Sequence, residues 1–225
     1  MTDPATPQIT VRGSHTAFRR PERATIHVRV GLEGPAADAV HAATTRSATT
    51  LTDGLGPLLD PQAGPVTWWS SDQLRTWAQR PWNTEGKQLP LVHHAQVDVR
   101  AKFADFAALS RWITQAMGAS GVSVNRIEWT LTEARQREMV GQVREAAVRD
   151  AQDRAQAYAD ALDLGPVRVR AIADAGMLGN GLDPTGGGGG QSYARLAVAG
   201  GGDDLVFTPQ DVAVSTEVDA VFVTS

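Results

Sequence analysis

Thr132-Glu-Ala-Arg-Gln-Arg-Glu-Met-Val-Gly-Gln-Val-Arg-Glu-Ala-Ala-Val-Arg-Asp-Ala-Gln-Asp-Arg-Ala-Gln-Ala-Tyr-Ala-Asp-Ala-Leu-Asp-Leu-Gly-Pro166 carries the strongest helical pattern in the chain. Thr132 offers the hydroxyl an N-cap needs, Glu133 places an acid in the first turn, and Gly165-Pro166 is the stop of a C′ glycine followed by proline. The spacing therefore predicts a helix from Glu133 to Leu164. Its predicted inner stripe is Val140, Val143, Ala147, Ala151, Ala155, Tyr158 and Leu162, small in the middle and large at both ends. The small residues let the helix lie close on a sheet. Around them Glu138, Glu145, Asp150, Asp153 and Asp160 interleave with Arg137, Arg144, Arg149 and Arg154. That pattern fits a solvated face with helical ion pairs better than paired catalytic carboxylates.

Working outward, Ala24, Ile26, Val28, Val30 and Leu32 alternate with Thr25, His27 and Arg29, the period of a half-buried strand. Gln8 to Gly13 is a shorter extended run, and Arg20-Pro-Glu22 breaks the two, so an N-terminal hairpin-like pair is expected. An Ala/Thr-rich helix follows Gly34-Pro35. Val66 to Gln79 and Leu91 to Ala101 read as extended, joined by the polar stretch Arg80 to Lys87. Asp105 to Met117 reads as a helix with Phe106, Leu109, Trp112, Ile113 and Met117 inward, followed by the alternating strand Ile127 to Leu131. Beyond the long helix, Val167 to Ala173 and Val212 to Phe222 read as strands. Between them Gly176 to Asp204, with its glycine runs 186–190 and 200–202, reads as a flexible loop in which Ser192 to Val198 could pair as a short edge strand.

The order β-β-α-β-β-α-β-α-β-β predicts an α+β fold, with mostly antiparallel sheets packed on helices. Residues 64–131 are expected to form an inserted ββαβ subdomain, and 1–63 together with 132–225 the main domain.

A chain of 225 residues with 42% hydrophobic and 20% charged residues has interior enough for ordinary cores. The formal charge of −4 argues against phosphate neutralisation as its main business, so no nucleic-acid partner is expected. With no cysteine, disulfides, thiolate nucleophiles and Cys-based metal sites are excluded. No apolar run approaches membrane-spanning length, and Met1 to Gln8 lacks the basic and apolar regions of a signal peptide. The expectation is a cytoplasmic protein without membrane insertion.

Catalytic patterns are missing. The run Gly186 to Gly190 lacks the Gly-Lys-Ser/Thr ending of a phosphate loop, and no Gly-x-Ser-x-Gly elbow occurs. The histidines are His15, His27, His41, His93 and His94, and His93 and His94 point to opposite faces of a strand, which disfavours a shared metal. An enzyme is not expected, and no cofactor or metal is called for.

What does invite function is the segment Trp68 to Trp82, which holds four of the six tryptophans interleaved with arginine. Trp68, Trp69, Arg75, Trp77, Arg80 and Trp82 form the predicted interface or ligand platform, because indole and guanidinium groups concentrate binding energy. Strand alternation predicts Trp69 and Trp77 on one face and Trp68 on the other. The competing reading is that these rings fill a small core. Three functions follow: a non-enzymatic protein that self-associates into a homo-oligomer, a small-ligand or carbohydrate-binding module using the tryptophans, or an undetected hydrolase.

Several pieces, in order, resemble the SIMPL-domain family. They are Ile9-Thr-Val-Arg-Gly13, Pro21-Glu-Arg-Ala24 where the family usually has Pro-Asp, and the Ala-rich helix after Gly31-Leu-Glu33. They continue with Gly121-Val-Ser-Val-Asn-Arg-Ile127, similar to a Gly-x-Asn-x-Ile turn, then Ala146 to Ala159, Leu164-Gly165 and Thr208 to Val212. The resemblance covers most of the chain and implies a two-part α+β structure, largely without an assigned activity, some of whose members assemble into homo-oligomeric rings or barrels. Many members carry a signal peptide, which this sequence does not show, and Trp68 to Lys87 departs from the usual pattern. The family has no established catalytic residues to transfer.

Overall fold

The computed structural model describes residues 7–84, 86–178 and 208–224. Three helices and eight strands run in the order β1 (Gln8–Arg19), β2 (Arg23–Gly34), α1 (Ala37–Asp53), β3 (Val66–Ser71), β4 (Arg75–Gln79), β5 (Val92–Phe103), α2 (Phe106–Ala116), β6 (Val122–Thr130), α3 (Glu133–Ala161), β7 (Val167–Asp174) and β8 (Val212–Thr224). All pairings between strands are antiparallel, in two sheets, so the α+β expectation holds. The expected Gly-rich loop from 179 onward and the short strand Ser192 to Val198 lie outside the described residues.

The first compact unit contains residues 7–20, 131–178 and 211–224. Its sheet has the order β1-β8-β7. Helix α3 starts where the sequence predicts, with the Thr132 hydroxyl accepting from the Arg135 N–H. Met139, Val143, Ala147, Ala151, Ala155 and Ala159 form its buried stripe, and Ala147, Ala151 and Ala155 meet Val11, Val218, Ala220 and Phe222. Two predicted positions are corrected: Tyr158 is 59% and Leu162 66% exposed. The buried positions recur strictly every fourth residue, so the contact line turns around the helix and reaches Ala159 instead. The close approach is made at Gly13, where a Cβ would lie 2.1 Å from the Ala147 carbonyl oxygen. One residue on, the Ser14 N–H donates to Asp150 Oδ2 at 2.8 Å.

The second unit contains residues 21–84, 86–130 and 208–210. Its sheet has the order β3-β5-β2-β6, and β4 also pairs with β5. Since β2 holds one side of β5, strands β3 and β4 share the other. Ala24, Ile26, Val28 and Val30 of β2 and Val97, Val99, Ala101 and Phe103 of β5 bury one face with Leu51 of α1 and Leu109, Trp112 and Ile113 of α2. Phe103 and Trp112 meet with ring centroids 5.6 Å apart. Asp105 caps α2 through the Ala107 and Ala108 N–H groups, whereas Met117, expected inward, is 45% exposed at its end.

This sheet corrects the expected hairpin: β1 pairs with β8, and β2 with β5 and β6. The 1–63 portion is divided as well, since residues 21–63 join 64–130 rather than the long-helix unit. The cause is that β2 is hydrogen-bonded on both sides within the second sheet, and its apolar face has the same helices over it.

Candidate functional site

The alternation that buries one face of the five-stranded sheet sends the other half of each strand outward. Within this unit the helices α1 and α2 contribute their apolar residues to the buried face. Register sets its chemistry: His27 lies opposite Arg100, Arg29 opposite Asp98, and Glu33 opposite His94, while on β6 Arg126 lies opposite His27 and Glu128 opposite Thr25. Charged groups that are scattered along the sequence thereby become neighbours.

Their contacts form a mixed network. Arg29 Nε donates to Asp98 Oδ1 at 2.9 Å, Gln96 Nε2 donates to Asp98 Oδ2 at 2.9 Å, and Arg100 Nη2 donates to Asp72 Oδ1 at 3.2 Å. Arg126 Nη2 is 2.7 Å from Glu128 Oε1. His27 Nε2 lies 3.2 Å from the same Glu128 oxygen. Burial pushes the His27 imidazole below its ordinary value; Glu128 opposes this, and Arg126 and Arg100 add to it. His27, Arg29, Asp72, Asp98, Arg100, Asn125 and Arg126 line a depression of about 300 Å³. Asn125 sits at the irregularity where β6 slips against His27 and Val28, one residue of β6 having no opposite number.

The tryptophan segment divides between the faces. Trp69 lies opposite Ala101 and packs on the buried core. Trp77 lies opposite His94, stacked on its ring at 5.0 Å between centroids with a 5° interplanar angle. The expectation that Trp69 and Trp77 share a face is therefore corrected. From Ser71 to Arg75 the chain advances four residues while β5 moves only from Val99 to Gln96, three positions, and the odd difference inverts the side-chain parity. Trp68 lies opposite Lys102 on the outward face. The outward indoles Trp68 and Trp77 thus stand roughly 27 Å apart along β5, at about 3.4 Å per residue.

Of the other predicted residues, Arg75 places Nη2 3.8 Å from Asp98 Oδ2 on the outward face. Arg80 Nη1 donates to the Leu89 carbonyl at 2.6 Å and braces the connection between β4 and β5. Trp82 in that connection is 85% exposed. The structure brings Trp68, Arg75 and Trp77 to one surface, turns Trp69 inward, and leaves Arg80 and Trp82 on the connecting loop. Trp77 also borders a second cavity of about 240 Å³ with His41, His93 and His94. Among the described residues no cluster of His, Asp or Glu is arranged to hold a metal ion, and no helix is long and apolar enough to cross a membrane.

Sequence reasoning missed the Arg29, Asp98, Arg100 and Arg126 cluster. Its residues are the polar half of alternating strands, so the one signal was an arginine or aspartate at an outward position. Only the register between strands makes them a group. No curated protein matches the chain. The family model for SIMPL, described as a protein of unknown function (DUF541), matches residues 9–222 and so spans both units. The chain therefore belongs to the SIMPL family.

Proposed function

We propose that the chain is a non-enzymatic protein that associates with itself through the tryptophan-bearing β3–β4 edge of its five-stranded sheet. The observation that carries this reading is exposure: Trp68 and Trp77 are each 44% and Trp82 85% accessible to solvent. An indole buries about 150 to 250 Å² when fully covered, so Trp82 and the open parts of Trp68 and Trp77 leave a hydrophobic gain that a partner surface can supply. A symmetric second copy is the commonest partner for such a surface. Arg75 beside Trp77 adds the other residue type in which interface energy concentrates.

The test is chromatography with light scattering over a hundredfold concentration range. The parent is expected to run larger than a protomer, and Trp77→Ala and Trp82→Ala to shift toward smaller species with the far-UV circular dichroism unchanged. A parent that is monomeric throughout, or variants of parental size, would overturn the reading. The cavity beside Trp77, with its three histidines, favours a second reading, a small-ligand or carbohydrate site. Quenching or enhancement of tryptophan fluorescence by members of a glycan panel, lost in Trp77→Ala, is its expected signature.

A further inference from the structure

The outward face of the five-stranded sheet has an imbalance between hydrogen-bond donors and acceptors. Asp98 is engaged at both oxygens, by Arg29 on one and Gln96 on the other. The guanidinium groups are barely engaged. Arg29 makes its contact through Nε alone, and Arg100 and Arg126 each through Nη2 alone. Each guanidinium carries five N–H donors in a rigid fork. Arg29 thus keeps both Nη groups, and Arg100 and Arg126 each keep Nη1 and Nε, for something other than the protein.

These three arginines border one depression, together with Asn125, which has a side-chain amide to offer, and His27, whose Nε2 faces Glu128 Oε1 at 3.2 Å. The surplus is of donors, which selects an acceptor-rich group; a metal cation would meet the same guanidinium charges as repulsion. Planar guanidinium forks match carboxylate and phosphate oxygens, and such charge-assisted bonds are among the stronger ones.

We propose that this depression is a binding site for a small ligand bearing a carboxylate or phosphate group, held by Arg29, Arg100 and Arg126. Asp98 holds Arg29, Asp72 holds Arg100 and Glu128 holds Arg126 in place, and a volume of about 300 Å³ admits a metabolite rather than a polymer. This goes beyond the self-association reading and is tested without it, because the probe is a small molecule and assembly size is followed in parallel.

The experiment titrates the full chain with inorganic phosphate and, separately, with glutarate, at constant ionic strength set by chloride. It is read by calorimetry and by the Arg Nε–H resonances in ¹⁵N nuclear magnetic resonance spectra. Saturable binding of at least one probe is expected, with the resonances of Arg29, Arg100 and Arg126 moving together, and which probe binds identifies the source of the oxyanion. Arg100→Gln and Arg126→Gln should each weaken it about tenfold or more, in keeping with the loss of a charge-assisted pair. Arg111→Gln, an exposed arginine on α2, should leave it unchanged. Arg126 lies on the edge strand β6, so its variant tests the idea even where Arg100→Gln disturbs the sheet. Absence of saturable binding by both probes, or equal weakening by Arg111→Gln, would sink the proposal.

Discussion

At the residue scale, Gly13 and Asp150 decide how the long helix sits on its sheet. A Cβ at position 13 would stand 2.1 Å from the Ala147 oxygen and 2.6 Å from the Ala151 nitrogen, so the backbone of β1 or α3 must move to admit it. Gly13→Ala is therefore expected to cost about 3 kcal/mol, the upper part of the overpacking range, and to lower Tm on the order of 10 °C. A thermal melt within 2 °C of the parent, on the order of measurement scatter, would show that the approach is looser than described. Asp150 secures the same contact: the Ser14 N–H first, then Arg154, hold its carboxyl below the ordinary aspartate range, and His15 adds to the effect. A carboxyl whose folded pKa is depressed adds stability that is fully present above the unfolded value of about 3.9 and is lost as pH falls through the folded one. Asp150→Ala should thus be less stable than the parent at pH 7, and the gap should close as pH drops below about 4. Denaturant midpoints across that range check it, and a gap that stays constant with pH would rule out the ionised carboxylate as its source.

At the scale of the element, α3 shows why alanine rather than leucine lines a buried stripe. Ala147, Ala151, Ala155 and Ala159 are 0% exposed, yet the helix carries exposed ion pairs such as Arg154 Nε to Asp150 Oδ2 at 2.9 Å and Arg149 to Glu145. Exposed pairs of this kind contribute little, so the stripe anchors the element. Ala151→Leu is expected to destabilise by about 1 to 3 kcal/mol, because a branched side chain has no space against β1. Unchanged thermal stability would place the stripe elsewhere. The five-stranded sheet illustrates the converse, in which four residues advancing against three put Trp69 inside and Trp77 outside. Two residues of the same type, an even number apart, took opposite roles through a register change that no local propensity encodes.

For the whole molecule, two antiparallel sheets with separate cores account for a chain of 225 residues without cysteine. Within the first unit, β1 and β8 come from opposite ends of the sequence. Such long-range pairing makes slow folding the expectation, since distant segments must meet before either is stabilised. Self-association belongs to this scale. Its strength should rest on indole burial rather than on the charged network of the outward face, so raising salt from 0.1 to 1 M, which shortens screening lengths from about 10 to 3 Å, should leave the assembly in place. Dissociation in salt would move the interface from the tryptophans to the charges.

Readable from the chain alone were the helices and most of the strands in their order, the start of α3, the α+β class, the alanine stripe and the family, although the single extended run expected over Val66 to Gln79 is two strands, β3 and β4. These are legible because capping chemistry and side-chain periodicity act within a few residues of one another. Strand partners, the assignment of residues 21–63, the turning of Tyr158 and Leu162 into solvent, and the parity of Trp77 were decided only by tertiary structure. So was the gathering of Arg29, Asp98, Arg100 and Arg126, which lie on three strands and meet only through register. Pairing depends on hydrogen bonds between segments far apart in the chain, and alternation reports that a strand has two faces without naming the strand beside it.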